Sequence, residues 1–290
     1  MPVSRVSPST PATKPGANRT SPPNRTALTL PTQLSEPSTS LQDLIIALFG
    51  EKKIGKTSLL GEFEDCFVMQ FEPGGKGLRL KAREVNSWRD FVGYVDLLIK
   101  NPGQFKNVAI DTMDLCYTTC SRATCEKLGI DNPGDESHGK GWAAIDKEFT
   151  FQMSRLMKCG RGVILVSHAE PKEFTSRTGG TYHKLCPTMS TQARRYVTGV
   201  ADIIAYYGYY GKERYLTISG SDELDAGHRM GERFRTPEGL PIHSIPMGNS
   251  AKEAYANFER AFNNKQADVC DPDEVAQLSE IPVKRESRRR

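Results

Sequence analysis

The stretch Gly50-Glu51-Lys52-Lys53-Ile54-Gly55-Lys56-Thr57-Ser58 sets two glycines, a lysine and two hydroxyls at the spacing G-x-x-x-x-G-K-[ST]. That spacing suits one task, the cradling of a phosphate chain. Glycines let the backbone curl so that its N–H groups converge on phosphate oxygens. Lys56 offers a point charge to β- and γ-phosphates. Thr57 offers a hydroxyl to Mg²⁺. A helix starting here adds the positive end of its dipole. Lys52 and Lys53 lie within the loop, with side chains that read as solvated. The loop from Gly50 to Ser58 is therefore the expected nucleotide site, with ATP and Mg²⁺ as its ligands.

A second acidic group is required to hold the metal. Asp111 follows the apolar run Val108-Ala109-Ile110. A strand there puts its carboxylate at the carboxyl edge of a parallel sheet, where ligands of open α/β sheets bind. Its expected role is to hold Mg²⁺, through water. Asp114 is one turn further on and is expected to cap the next segment or to face solvent. Hydrolysis also needs a group that orients and deprotonates water. Many phosphate-loop ATPases carry a glutamate directly after the strand-end aspartate, but Thr112 stands there. Glu72 is the substitute, after the strand-like run Cys66–Phe71 and before Pro73-Gly74-Gly75. The competing reading of Glu72 is a surface glutamate at a turn. Ser167 and His168 follow Val163–Val166. A polar side chain at that edge can bond a γ-phosphate and report its loss, or His168 can simply be exposed.

These residues need a scaffold of buried strands. Leu44–Phe49, Cys66–Phe71, Asn107–Ile110 and Gly162–Ser167 are short apolar runs of the kind buried on both faces of a parallel sheet. Helical spacing follows the loop from Lys56 to about Phe63 and recurs at Ser87–Lys100, with Ser87 as N-cap. It appears again before Gly160, near Ser190–Val200, and from Ala251 to Phe262. Strands are expected near Ile203–Tyr207 and Arg214–Ser219. The alternation predicts an α/β fold, mainly a parallel sheet flanked by helices, with room for antiparallel strands at one edge.

The predicted organisation is a Pro/Ser/Thr-rich disordered tail over residues 1–40, a folded domain over 41–265 and a charged mobile tail over 266–290. In residues 1–40, Pro, Ser and Thr dominate and large apolar groups are few, too few to offset ordering entropy. The net charge of +4 is too small to prove a nucleic-acid partner. Seven scattered cysteines fit reduced thiols better than a disulfide scaffold. Cys116, Cys120 and Cys125 match no common zinc spacing and read as small apolar residues on a helix. The sequence contains no 18-residue apolar run and no apolar leader, so a cytoplasmic protein with no membrane partner is expected.

Taken in order, "GEKKIGKT", "FVMQFEPGGKGL", "VAIDTMDL", "GKGW", "VILVSHAE" and "GVADIIAYY" resemble the RecA-like ATPases over roughly residues 44–248. The likeness is strongest to the short phage-encoded members that act in recombination and annealing. The resemblance implies a RecA-like P-loop NTPase core, with the strand of His168 lying between those of the phosphate loop and Asp111. It implies Glu72 as catalytic glutamate and His168 as sensor, in a family whose sensor is often glutamine. It also implies a bacterial host cytoplasm, homo-oligomers with nucleotide between protomers, and a single-strand-binding protein as a possible partner. In that family the loop after the sensor strand contacts single-stranded DNA. Here that loop carries Lys172, Phe174, Arg177, Tyr182 and Lys184, cations and rings suited to phosphates and stacked bases. An active-site lid is the alternative. Arg194, Arg195 and Arg229 are candidates to reach a neighbour's γ-phosphate, each a surface arginine by default. A GTPase is disfavoured, because N-K-x-D is not found and Asp111 does not begin a D-x-x-G. A nucleotide-gated binding module or loader without catalysis of its own is the remaining rival, and it needs Lys56 but not Glu72.

Overall fold

The computed structural model describes residues 30–176 and 179–267. By its contacts the chain divides into Met1–Pro37 and Ser38–Arg290, and every element below belongs to the second unit. Most of the two predicted tails lies outside the described residues.

In chain order the elements are β1 (Ile45–Gly50), α1 (Lys56–Leu60), β2 (Cys66–Gln70), β3 (Lys81–Glu84), α2 (Trp88–Lys100), β4 (Asn107–Asp111), α3 (Met113–Leu128) and α4 (Lys140–Met157). They continue as β5 (Gly162–Thr175), β6 (Thr181–Pro187), α5 (Thr191–Val200), β7 (Ile203–Tyr210), β8 (Glu213–Thr217), β9 (Gly227–His228), β10 (Ser244–Pro246) and α6 (Ala251–Phe262). The sheet runs β10-β8-β7-β1-β5-β4-β2-β3, with β6 paired to β5 and β9 to β7. From β7 to β3 all neighbours are parallel. Strands β8 and β10 close one side antiparallel. This is the α/β P-loop core with antiparallel edge strands that the apolar runs predict, and β5 does lie between β1 and β4.

The parallel strands other than β3 are largely buried on both faces, and their side chains alternate between two cores. Ile46, Leu48, Val68, Ala109, Ile164 and Val166 face a core closed by Leu59 and Leu60 of α1 and Phe258 and Phe262 of α6. Ala47, Phe67, Met69, Val108, Ile110, Val163 and Leu165 face the other, closed by α2, α3, α4 and α5 through residues such as Phe91, Cys116, Phe149 and Val197. Serine hydroxyls start α2, α5 and α6: Ser87 accepts from the Asp90 amide, Ser190 from that of Ala193, and Ser250 from that of Glu253. Cys116 and Cys120 are fully buried and are free thiols, as their helical reading required. Among the described residues no helix is long and apolar enough to cross a membrane.

Two elements differ from expectation in ways that bear on function. Helix α1 ends at Leu60 rather than near Phe63, because Gly61 opens a turn and Asp65 adopts φ 46°. So short a helix adds little dipole, and the phosphate cradle must rest on the loop itself. Strand β5 does not stop at Ser167. It continues to Thr175 and returns as β6, so the expected loop is a β-hairpin.

Candidate functional site

Register explains why separated residues meet. Gly50 at the end of β1 lies level with His168 on one side and Tyr207 on the other. Asp111 at the end of β4 lies level with Gln70 of β2 and Val166 of β5. Glu72 and His168 each stand two residues beyond that level. An even offset keeps them on the same face as Asp111. Their side chains meet across the end of β4, with His168 Nε2 at 3.1 Å from Glu72 Oε2. His168 Nδ1 is buried and has no hydrogen-bond partner among the described residues.

The loop between β1 and α1 is shaped by close approaches. A Cβ on Gly50 would stand 2.0 Å from the Tyr207 carbonyl oxygen, so only glycine allows β7 so near. Gly55 adopts φ 113°, open to glycine and costly for other residues. Glu51 anchors the loop's outer side, its carboxylate accepting from the Tyr209 amide at 3.2 Å and the Tyr206 hydroxyl at 3.4 Å. Arg214 of β8 braces the inner side. It donates to Gly248 O at 3.0 and 2.6 Å and to Ile54 O at 3.4 Å. Neither brace was anticipated from sequence, since a lone arginine near the start of a strand carries no signal by itself.

Lys56 is only 6% exposed. Its Nζ folds back over the loop, donating to Gly50 O at 2.9 Å and Glu51 O at 2.6 Å. Burial pulls its pKa down, and the carboxylates of Asp111, Glu72, Asp114 and Glu51 partly restore it. Asp111 is 8% exposed and accepts the Thr57 hydroxyl at 2.7 Å. Burial pushes its carboxyl up, and the Thr57 bond works against that shift. A buried cation and a buried anion, both held in costly states beside a loop of amides, are poised for a partner that supplies opposite charges. Oxygen donors from Thr57 and Asp111 match a hard cation such as Mg²⁺.

The raised Asp111 carboxyl has a measurable consequence. A folded-state pKa above the unfolded value means that ionised Asp111 costs stability above its folded pKa, and that acid relieves the cost as pH falls through it. Asp111→Asn should therefore raise the melting temperature of the nucleotide-free protein at neutral pH. The gain should fade on acidification, and Mg²⁺-dependent nucleotide binding should be lost. Melts across pH, with and without Mg²⁺ and ATP, check both signs.

Thr112 is 1% exposed, and its hydroxyl has no partner among the described residues. Asp114 departs from expectation. It neither caps α3 nor points to solvent. Its carboxylate accepts the Ser167 hydroxyl at 3.0 and 3.1 Å and the Thr188 hydroxyl at hydrogen-bond distance.

The hairpin gathers the expected surface residues. Lys172 pairs with Lys184 across the strands and Phe174 with Tyr182, so all four lie on one face. The two rings stack at 5.8 Å between centroids. Arg194 of α5 lies over Phe174 at 5.7 Å, and Lys172 pairs with Glu170 at 2.9 Å. That face is half-buried toward α5, with Tyr182 37% exposed. Arg177 lies outside the described residues. Arg195 stands 3.7 Å from Asp146, and Arg229 donates to Gly199 O within this chain.

A family model described as an AAA domain matches residues 42–230. The curated SPbeta prophage-derived uncharacterized protein YorG of Bacillus subtilis (strain 168) is 24% identical over 186 residues. That match takes in 62% of this chain and 55% of the relative, so the chain spans about half of the relative's length. Among solved structures, the KaiC-like protein PH0186 from Pyrococcus horikoshii OT3 is 12% identical, covering 73% of this chain and 88% of that one at a TM-score of 0.41.

Proposed function

This chain belongs to the AAA domain family, and we propose that it is a Mg²⁺-dependent ATPase of RecA type that acts on single-stranded DNA in recombination, annealing or replication. The observation that carries the reading is the meeting of Lys56, the Thr57–Asp111 pair and the Glu72–His168 pair at one sheet edge. Gly50 to Ser58 wrap the phosphates, and Lys56 exchanges its two carbonyl partners for phosphate oxygens. Thr57 and Asp111 would hold Mg²⁺, which would supply positive charge against the negative charge of the phosphate chain. Glu72 takes a proton from water as the water oxygen bonds to the γ-phosphorus. The bond from that phosphorus to the ADP oxygen breaks, leaving ADP and phosphate. His168 holds Glu72 in position and senses the terminal phosphate.

The face bearing Lys172, Phe174, Tyr182 and Lys184 supports a single-stranded nucleic acid ligand, since it joins cations to a stacked ring pair. Arg177 extends that set in sequence. Assembly into homo-oligomers, a single-strand-binding partner and a cytoplasmic setting complete the proposal. A prophage-derived relative of uncharacterized function is consistent with a phage setting.

The decisive measurement is ATP turnover with and without single-stranded DNA, beside titration of a labelled strand at two salt concentrations. Turnover should rise at least several-fold with DNA, and binding should weaken with salt. No binding at low salt would reject the DNA ligand. A nucleotide-gated module without catalysis is the second reading, favoured if nucleotide binds and no turnover is seen.

A further inference from the structure

Asp114 has no part in the chemistry above, yet it joins three elements. It sits in the first turn of α3, three residues after the metal-site aspartate. Its carboxylate accepts hydroxyl protons from Ser167, which is fully buried on β5, and from Thr188, which follows β6. The two hydroxyl oxygens lie 3.2 Å apart. Thr188 is tied a second time, because its amide donates to the carbonyl of His168 at 3.1 Å. Both strands of the hairpin thus enter and leave through one knot. That knot also holds the residue that contacts Glu72. Two residues past Thr188, Ser190 caps α5, whose Arg194 covers Phe174.

A carboxylate taking two hydroxyl bonds is a strong, directional fastening, since bonds to an ionised acceptor are shorter and stronger than neutral ones. Neither hydroxyl can swing away without leaving Asp114 short of a donor in a half-buried place. Displacement of His168 is therefore passed to Thr188 through the shared backbone bond, and from there to the hairpin and α5.

We infer that Asp114 and Thr188 form a latch that positions the hairpin root and couples the nucleotide site to the hairpin's ligand face. The inference rests on the proposed ATPase reading and names how that site is regulated. Both are positioning residues, and neither touches the reacting atoms. What the latch transmits is the state of the Glu72–His168 pair.

The test uses the full chain and two substitutions. Thr188→Val keeps the shape and removes the hydroxyl; Thr188→Ser restores a hydroxyl. Deuterium exchange of peptides spanning residues 169–187 is followed with and without a non-hydrolysable ATP analogue and Mg²⁺. Wild type should show slowing on the order of 10-fold on adding the analogue, within the range of coupling between sites. Thr188→Val should lose most of that response while its ATP KM and unstimulated kcat stay within about twofold, and Thr188→Ser should regain it. A merely structural threonine would shift exchange equally with and without nucleotide. An unchanged nucleotide response in Thr188→Val overturns the latch. So does a wild type that binds the analogue, by thermal shift, without any response in the hairpin. Turnover insensitive to single-stranded DNA, with the exchange response intact, would instead reject the DNA reading and leave the latch standing. A chain that binds no nucleotide overturns both.

Discussion

Lys56→Ala should weaken nucleotide binding by ~30-fold or more while leaving the fold intact. The amine is buried and makes two hydrogen bonds, both to carbonyls of its own loop. Those bonds satisfy two of the ammonium's three donors without neutralising the charge. The lowered pKa expresses the same fact, that burial disfavours the ammonium and nearby carboxylates compensate only in part. A polyphosphate supplies what is missing. Truncating one partner of a buried, hydrogen-bonded charge pair typically costs about 2–5 kcal/mol. That corresponds to a loss of ~30- to ~4,000-fold in affinity. At ATP concentrations ~100 times the wild-type Kd, binding stabilises by about 2.7 kcal/mol, a rise of roughly 5–10 °C in Tm for a domain of this size. Wild type should show that rise and Lys56→Ala about a third of it or less. Without nucleotide the variant should melt close to wild type, because a costly buried charge has left together with its two loop bonds. An equal ligand-induced rise in both proteins would remove Lys56 from the phosphate site.

The site's parts were legible in the sequence to different depths, for physical reasons. Strands β1, β4 and β5 lie between parallel neighbours, so their burial shows as apolar runs. The residue that ends each run then falls at the sheet edge where ligands bind. Asp111 and His168 were readable in that way, and the sharp Pro73-Gly74-Gly75 break made Glu72 readable too. Their meeting was not readable from local pattern. The pair is 96 residues apart in sequence, and contact depends on β2, β4 and β5 being neighbours in one register. Strand β3 was invisible because Lys81-Ala82-Arg83-Glu84 is a charged edge strand, a device that hides strand character while discouraging aggregation. The β5–β6 hairpin read as a loop because its apolar run stops at Val166 while its backbone pairing continues. Asp114 was misread because an acid in the first turn of a helix ordinarily faces water. Its hydroxyl partners come from the interior of β5 and from Thr188, 74 residues away.

Glu72→Gln separates an ATPase from a nucleotide-gated binding module. The substitution keeps the size and the oxygen that His168 Nε2 contacts, and it removes the capacity to take a proton. If Glu72 is the base, ATP affinity and the ligand-induced rise in Tm should persist, while kcat falls at least ~10²-fold, the scale of a lost general base. Thr112 cannot replace it, since a buried neutral hydroxyl after Asp111 accepts no proton from water at neutral pH. Asp111 cannot either, because it already accepts the Thr57 hydroxyl and in the proposed site its charge would be committed to the metal. His168→Ala probes the same step from the other side. It removes the ring that holds Glu72 and leaves the carboxylate, so it should lower kcat by less than Glu72→Gln and leave ATP affinity nearly unchanged. Combining the two should cost little beyond Glu72→Gln alone, because groups acting as one unit are not additive. Single-turnover and steady-state ATPase assays on the three variants give the ordering. Normal turnover in Glu72→Gln would take the base elsewhere. Wild-type turnover no faster than that variant's would make the Glu72–His168 pair a switch that reads nucleotide without cleaving it.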